Sequence, residues 1–382
     1  MEQPAPPSRP PTAGDAVASR RAAPMTAAVK RSFLMVRPLF FAGTSARAGG
    51  PSADRPERFR GKTNVDLALR QWHTLAQTLS GLGVDVLAAM PDRSAPDGVF
   101  IGAAGLLVDR SARRCVADKV FIASTVSGKA SEGAQDAMSR AVRAAGFSVD
   151  SFEHRFGGAG DFFRVGGSKE SGSKYVFACA PGPIDNGPGG ARRLLAMLGP
   201  RAPDWSSDPR LREPLAEMVP GCEVHSLVLS DPRYPRGDMV ATSVGPERSV
   251  LVVNVRALHE DGQRLVLGRK ARISDTVIPL SEEDAALYAA GLIQLPATTA
   301  GGKPKAIIPE GVSKDLLGRL ERVGCDCVPV DLSEWIKKDR GGPAALALDL
   351  GYLRDDRRTE TPEVRDHRAA MRAGLDRAPE AG

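Results

Sequence analysis

Residues 156–161 read Phe-Gly-Gly-Ala-Gly-Asp, a glycine-rich turn that ends on an acidic residue. The turn resembles a dinucleotide-binding loop, but it lacks the G-x-G-x-x-G spacing after a strand and the acidic residue about twenty positions later. No P-loop, H-E-x-x-H or G-x-S-x-G motif occurs anywhere in the chain. The common motifs of nucleotide-binding proteins, zinc proteases and serine hydrolases are therefore excluded.

Short apolar runs alternate with helical patterns on both sides of this turn. The predicted strands are Ser32–Val36, Val84–Ala88, Gly105–Val108, Lys119–Ala123, Tyr175–Ala180, Val224–Leu229, Ser249–Val255, Ala306–Ile308 and Ala344–Leu348. The predicted helices are Val65–Leu82, Glu132–Ala145, Gly190–Leu198, Glu282–Ala290 and Ser313–Val323, the last with Ser313 as its N-cap. Strands that alternate with helices predict an α/β protein.

The composition is that of a globular protein with a sizeable core. Of the 382 residues, 42% are hydrophobic and 26% are charged. No apolar run approaches the roughly 18 residues that a membrane span needs, so a membrane protein is not expected. The net charge is +6, of which residues 1–31 carry +3 and the chain from Arg354 onward carries none. The remaining +3 forms no stripe along the sequence, which argues against nucleic-acid binding.

The chain divides into three parts. Residues 1–31 are rich in Pro, Ala and Arg and predict a disordered N-terminal extension. Either this extension is a weak organelle-targeting segment, or translation really starts at Met25. Residues 32–352 hold the folded domain, and residues 353–382 form a charged C-terminal tail. An odd number of cysteines, five, favours a reducing compartment and a cytoplasmic location.

Metal and cofactor sites are not expected. Cys325 and Cys327 form a C-x-C pair, but no second pair or histidine cluster lies at zinc spacing. The pair therefore predicts two residues at a strand edge.

Six segments, in order along residues 32–352, resemble the amidinotransferase, dimethylargininase and arginine deiminase family of the pentein superfamily. They are residues 33–38 (Phe-Leu-Met-Val-Arg-Pro), 71–72 (Gln-Trp), 96–105 (Pro-Asp-Gly-Val-Phe-Ile-Gly-Ala-Ala-Gly), 156–161, 231–238 (Asp-Pro-Arg-Tyr-Pro-Arg-Gly-Asp) and 330–350, which includes Val-Asp-Leu-Ser-Glu-Trp, Gly-Gly and Ala-Leu-Ala-Leu-Asp-Leu. This resemblance implies a β/α propeller of five blades around a pseudo-fivefold axis, with the active site at its centre.

The resemblance also implies a chemistry. A cysteine thiolate attacks the guanidinium carbon of arginine or a methylated arginine, and a histidine moves the protons. Carboxylates hold the cationic guanidinium by charge-assisted hydrogen bonds.

Most of the corresponding positions carry other residues in this chain. Ala345 stands at the cysteine position, Arg236 at the histidine position and Gly157 at the glutamate position, and Ala103 replaces an Asn or Asp. Asp161 and Asp238 are retained. Phe100, Asp97 and Arg233 complete the predicted substrate-binding set, together with Ala103.

Several interpretations stay open. Asp161 and Asp238 could be structural, the first accepting backbone N–H groups and the second pairing with Arg236. The leading hypothesis is a pseudoenzyme that keeps the fold for binding or assembly. The alternatives are a protein that binds an anion through Arg236 and Arg233, and an active enzyme whose Cys and His lie elsewhere. His225 is interpreted as an ordinary strand residue. The oligomeric state is not predicted.

Overall fold

The computed structural model of the chain describes residues 30–41, 55–109, 119–125, 129–166, 173–180, 207–268, 273–298, 301–353 and 362–373. The predicted helix Gly190–Leu198 lies outside these ranges, as does the N-terminal extension up to residue 29. The α/β class predicted from the sequence is confirmed.

Fifteen strands occur in the described part of the chain. They are β1 Lys30–Val36, β2 Asp85–Ala89, β3 Gly105–Asp109, β4 Lys119–Ala123, β5 Ser148–Ser151, β6 Phe162–Val165, β7 Lys174–Cys179, β8 Glu223–Val228, β9 Ala241–Val244, β10 Val250–Val253, β11 Thr276–Pro279, β12 Ile293–Leu295, β13 Lys305–Pro309, β14 Asp326–Val330 and β15 Leu348–Leu353.

The helices of the same ranges are α1 Val65–Gly81, α2 Lys129–Ala144, α3 Arg212–Glu217, α4 Glu260–Leu267, α5 Glu282–Ala286, α6 Lys314–Arg322, α7 Ser333–Ile336 and α8 Pro362–Ala373. No helix in the described ranges is long and apolar enough to cross a membrane.

The strands form five three-stranded sheets of one topology in the described ranges. In each sheet the middle strand pairs antiparallel with one neighbour and parallel with the other. Four sheets follow chain order, namely β3-β4-β5, β6-β7-β8, β9-β10-β11 and β12-β13-β14. A parallel pair needs a crossover connection, and the crossovers of the five sheets contain the described helices α1, α2, α3, α4 and α6, one in each.

The first sheet is completed from the other end of the chain. Its order is β15-β1-β2, so the last strand takes the antiparallel position that the preceding strand takes in the other four sheets. The two ends of residues 30–353 are therefore joined by hydrogen bonds between β1 and β15.

Helix α1 begins at a local capping signal and buries one face against helix α7. Asn64 caps the helix, and its side chain accepts a hydrogen bond from the Leu67 N–H. Buried residues then recur along one face of the helix, including Gln71 and Trp72. The Gln71 amide nitrogen donates to Ser333 Oγ at 2.9 Å, and the Trp335 indole N–H donates to the Ala68 carbonyl at 2.9 Å. These bonds dock helix α7 on α1.

Two predicted elements were wrong in extent. The helix predicted over Glu282–Ala290 ends at Ala286, because Tyr288 takes a left-handed backbone conformation with φ of 57°. The strand predicted over Ala344–Leu348 is a 3₁₀ turn over Pro343–Leu346, and β15 begins at Leu348. Pro343 opens that turn, where its fixed φ is favourable.

Six strands were not predicted from the sequence. All of them are three to five residues long and lack a continuous apolar run: β5, β6, β9, β11, β12 and β14. Pairing with the middle strand of each sheet stabilises them more than their own pattern does.

Candidate functional site

A cavity of about 560 Å³ is lined by residues from all five sheets. Phe33 of the first sheet, Leu106 of the second, Phe162 of the third, Ala241 of the fourth and Ile293 of the fifth all face it. Asp238 lines the same cavity. So do Gly102, Gly160 and Ala344, the neighbours in sequence of three other predicted site residues: Ala103, Asp161 and Ala345.

Three of the predicted site residues meet at Gly341. A Cβ atom placed on this glycine would lie 3.0 Å from Arg236 Nη2, 3.1 Å from Ala345 Cβ and 3.8 Å from Asp238 Oδ2. Gly341 has a φ of 121°, which favours glycine, and a side chain there would collide with the cluster. The positions predicted for the nucleophile, the base and a carboxylate are therefore adjacent in space.

Arg236 and Asp238 form a two-pronged ion pair. Arg236 Nε donates to Asp238 Oδ1 at 2.9 Å and Nη2 donates to Oδ2 at 2.7 Å. Nη2 also donates to the Arg340 carbonyl at 2.7 Å. Both side chains are largely buried, with 16% of Arg236 and 9% of Asp238 exposed. The internal ion pair considered from the sequence is confirmed.

Asp161 is fully buried and joins three segments of the chain. Its Oδ1 accepts a hydrogen bond from the Gly237 N–H at 2.6 Å, and its Oδ2 accepts one from the Ser207 hydroxyl at 2.6 Å. Ser207 Oγ in turn accepts from the Gly157 N–H at 3.0 Å. The carboxylate thus serves a backbone group, as one interpretation of the sequence held, and the donor belongs to the turn that carries Arg236 and Asp238.

Close backbone contacts join the remaining predicted positions. A Cβ on Gly158 would lie 3.0 Å from the Ala103 carbonyl oxygen, so the glycine-rich turn abuts the segment of Ala103. A Cβ on Gly102 would overlap the Ala344 carbonyl at 1.7 Å, and one on Gly160 would lie 2.7 Å from Asp238 Cβ. The glycines therefore allow four separate segments, those of Ala103, Gly158, Asp238 and Ala344, to approach one another closely.

Phe100 and Asp97 are held by neighbours that the sequence did not point to. The Phe100 ring is buried and lies edge-on to Trp335, with the ring centroids 5.9 Å apart. Arg340 donates to Asp97 Oδ2 at 2.9 Å, and its guanidinium carbon lies 5.9 Å from the Phe100 centroid. Arg340 thereby links Asp97 and Phe100 to the loop whose carbonyl receives Arg236.

Arg233 lies on the same turn as Arg236 but has a different partner. Its Nη2 donates to Asp231 Oδ2 at 2.8 Å, and 38% of its side chain is exposed. The guanidinium groups of Arg233 and Arg236, which the sequence suggested for an anion, are thus both bound to carboxylates of their own chain.

The loop that carries Ala345 is held by a buried arginine that sequence reasoning missed. Arg55 donates to the carbonyls of Ala286 at 2.7 Å and Ile336 at 2.8 Å, and it pairs with Asp339. The Tyr288 hydroxyl donates to the same Asp339 carboxylate at 3.0 Å. This network explains the left-handed conformation of Tyr288, and no local sequence signal reveals it, because Arg55 lies more than 230 positions earlier than its partners.

Three of the described cysteines, Cys179, Cys325 and Cys327, have thiol pKa values above the ordinary value. Burial, followed by the charges of Asp161 and Asp208, raises the pKa of the Cys179 thiol to about 12. Burial likewise raises the pKa of Cys325, and raises that of Cys327 to about 11. The groups that shift these three pKa values are carboxylates, an arginine, another thiol and a backbone N–H.

The C-x-C pair and His225 have the positions expected from the sequence. Cys327 belongs to β14, the edge strand of its sheet, and Cys325 directly precedes that strand. His225 belongs to β8, and its Nε2 lies 3.2 Å from Glu223. No group of three or more His, Cys, Asp or Glu side chains in the described ranges could hold a metal ion.

No family model and no curated protein matches the chain in sequence. Solved structures do match it. A variant of AgrE bound to L-arginine is 20% identical with a TM-score of 0.61, over 86% of this chain and 41% of AgrE. This chain thus spans about two fifths of the length of AgrE.

Two single-domain structures match over their whole length. The N-terminal domain of ArgZ, an arginine dihydrolase from cyanobacteria, is 19% identical with a TM-score of 0.60, over 85% of this chain and 99% of that domain. DDAH from Pseudomonas aeruginosa, complexed with citrulline, is 16% identical with a TM-score of 0.54, over 85% of this chain and all of DDAH. The resemblance predicted from the sequence is confirmed at the level of the fold, and the chain has the fold of the pentein superfamily, to which AgrE, ArgZ and DDAH belong.

Proposed function

We propose that this protein is a non-catalytic relative of the guanidine-modifying enzymes, a pseudoenzyme that uses the pentein fold for binding or assembly. The observation that carries the proposal is the meeting of Ala345, Arg236 and Asp238 at Gly341. A methyl group and an ion pair stand where guanidine chemistry needs a thiolate and an imidazole.

Neither Ala345 nor Arg236 can take the role of the group that the chemistry needs at its position. The nucleophile must attack the guanidinium carbon, and the alanine methyl has no lone pair to do so. The proton donor and base must change protonation state near neutral pH, which an arginine with a pKa above about 12 does not do. Loss of the nucleophile from a catalytic unit costs on the order of 10⁶ in rate.

The retained carboxylate is also engaged. Asp238 binds the Arg236 guanidinium through two parallel hydrogen bonds, the same interaction by which a carboxylate would bind a substrate guanidinium. A second guanidinium would have to displace Arg236 from a largely buried pair. The proposal therefore includes weak or absent binding of arginine at this position.

The proposal assigns five blades to the domain, arranged around one pseudo-fivefold axis with the site at its centre. Two observations support this arrangement: the five sheets have the same topology, and all five contribute to one cavity. The completion of the first sheet by β15 would close the ring of blades.

A direct assay tests the proposal. The purified protein is incubated with L-arginine, a methylated arginine and agmatine, and the release of citrulline, ornithine, ammonia or an amine is measured. We expect none above the buffer blank. Turnover that is abolished by a thiol-blocking reagent would overturn the proposal.

The alternative is an active hydrolase or amidinotransferase whose site lies elsewhere. It is favoured by the ligands of the similar structures, since AgrE structures contain L-arginine or ornithine and the DDAH structure contains citrulline. The assay separates the two functions, and Arg236→Ala serves as the matched variant: turnover that survives this change would place the chemistry away from Gly341.

A further inference from the structure

The cavity shared by the five sheets carries a cluster of basic side chains that the predicted site does not include. Arg31 of the first sheet, Lys119 of the second, Arg164 of the third and Arg248 beside β10 of the fourth all line it. Among the residues that the structure describes, its carboxylates are Asp238, which is paired with Arg236, and Asp349. The described part of the cavity wall thus holds four cationic and two anionic side chains.

These cations lie close to one another. Arg31 forms an ion pair with Asp349 of β15. Lys119 Nζ donates to the neighbouring Leu350 carbonyl at 2.8 Å and lies 3.0 Å from the position of a Cβ on Gly351. Lys119 is 4% exposed, so its charge is held at the cavity wall and not in bulk water. One carboxylate, Asp349, therefore stands among several cations.

Arg248 has no carboxylate partner among its hydrogen bonds in the described ranges. Its Nη1 donates to the Ser243 carbonyl at 3.0 Å and its Nη2 donates to the Gln294 carbonyl at 3.3 Å. Burial and then the charge of Arg31 lower the pKa of Arg248 to about 10, and Asp349 opposes this only in part. Among the described residues of the wall, the cationic side chains outnumber the carboxylates.

The backbone at Arg248 is strained. Glu247 and Arg248 have φ values of 52° and 62°, in the left-handed region that residues other than glycine seldom occupy. Two consecutive residues of this kind in the turn between β9 and β10 cost stability, and such strain is concentrated at functional positions. The turn therefore places the Arg248 guanidinium at the cavity wall, although glycine is the residue that the backbone conformation of position 248 favours.

We infer that this cavity binds a small multivalent oxyanion, a polycarboxylate or a phosphate, between Arg31, Lys119, Arg164 and Arg248. Guanidinium and ammonium groups recognise carboxylate and phosphate oxygens by charge-assisted hydrogen bonds. The volume of about 560 Å³ accommodates such an ion. This site does not depend on the pseudoenzyme proposal, because none of its four cations belongs to the catalytic positions.

Isothermal titration with citrate, inorganic phosphate and sodium chloride at equal ionic strength tests the inference. We expect the wild-type protein to bind citrate or phosphate and not chloride, and the stronger of the two identifies the ligand class. Arg248→Gln removes a charge-assisted contact and should raise the dissociation constant about tenfold or more. Arg256→Gln is the matched control, since Arg256 is 70% exposed and pairs with Glu282 outside the cavity.

Two further variants keep the result unambiguous. Arg248→Gly suits the left-handed backbone, so it should fold at least as well as the wild type while losing the anion. Arg233→Gln should leave the affinity for citrate or phosphate unchanged, because the Arg233 guanidinium binds Asp231 and is not among the cavity-lining groups. No binding of either anion by the wild type, equal losses in Arg248→Gln and Arg256→Gln, or loss in Arg233→Gln alone would each overturn the inference.

Discussion

At the scale of single residues, the proposed function depends most on Arg236, which stands at the predicted histidine position. A histidine at this position could change its protonation state near neutral pH, whereas the arginine is permanently charged and bound to Asp238. Removing one partner of a largely buried ion pair leaves the other charge without compensation. The pair is therefore a structural element of the predicted site.

Arg236→Ala should lower the free energy of unfolding by about 3 kcal/mol, because Asp238 stays buried without its cation. Arg233→Ala is the control from the same turn, where the arginine is 38% exposed and the expected loss is below about 1 kcal/mol. Urea titrations at pH 7 measure both. Equal losses in the two variants would contradict the assignment of Arg236 as a buried partner.

Cys179 should be inert toward thiol reagents in the folded protein. Its pKa of about 12 means that the thiol stays protonated at pH 8, and the thiolate is the reactive form. Labelling with a chromogenic disulfide reagent at pH 8, followed by mass spectrometry, should find Cys179 unmodified until denaturant is added. Rapid labelling of Cys179 in the native protein would favour the alternative of an active enzyme whose cysteine lies elsewhere.

At the scale of elements, the pairing of β15 with β1 holds the first sheet together. Arg31 on β1 and Asp349 on β15 form an ion pair across the two strands, and the Gly351 N–H donates to Asp349 at 2.8 Å. Burial raises the pKa of Asp349, but the charge and hydrogen bonds of Arg31, with the Gly351 N–H, lower it overall. The stability of this pairing should therefore depend on pH.

Asp349→Asn should destabilise the protein at pH 7 and matter less in acid. A carboxyl whose folded pKa lies below its unfolded value of about 3.9 stabilises the fold above that pH. The contribution falls as pH decreases from about 4 through the folded pKa, because the unfolded chain binds the proton first. Urea titrations of both proteins at pH 7 and pH 3 should give a smaller difference at pH 3. A difference that is constant from pH 7 to pH 3 would contradict this account.

At the scale of the whole molecule, one sheet depends on both ends of residues 30–353. The other four sheets are each built from one continuous stretch of chain, but the first contains β1, β2 and the distant β15. Pairing β15 with β1 joins residues that are 318 positions apart, such as Arg31 and Asp349, and closing so long a loop costs conformational entropy.

Truncation after Leu346 should abolish cooperative folding, because it leaves β1 without its antiparallel partner β15. Truncation after Leu353 retains β15 and removes helix α8. Met371 of this helix is buried in the apolar cluster that includes Leu34 of β1 and Leu87 of β2, so this shorter protein should fold with a lower melting temperature. Circular dichroism melts of both proteins measure the effect. The same melting temperature for the two truncations would show that β15 does not hold the sheet.

The amino-acid sequence alone determined the α/β class and the middle strand of each of the five sheets, because β1, β4, β7, β10 and β13 are short apolar runs whose pattern is local. The N-cap of α6 was equally local: Ser313 Oγ accepts from the Leu316 N–H at 3.1 Å. Ordered motifs also predicted the fold that AgrE, ArgZ and DDAH share. The same motifs place Ala345 at the predicted nucleophile position, which stays a prediction.

Tertiary structure decided the rest. The six short strands form because a middle strand supplies their hydrogen bonds, and Tyr288 departs from the helix because Arg55 and Asp339 hold it. The basic cluster was invisible along the chain, since Arg31, Lys119, Arg164 and Arg248 come from four different sheets. The net charge follows from the sequence, but which charged side chains line one cavity depends on which strands the fold places side by side.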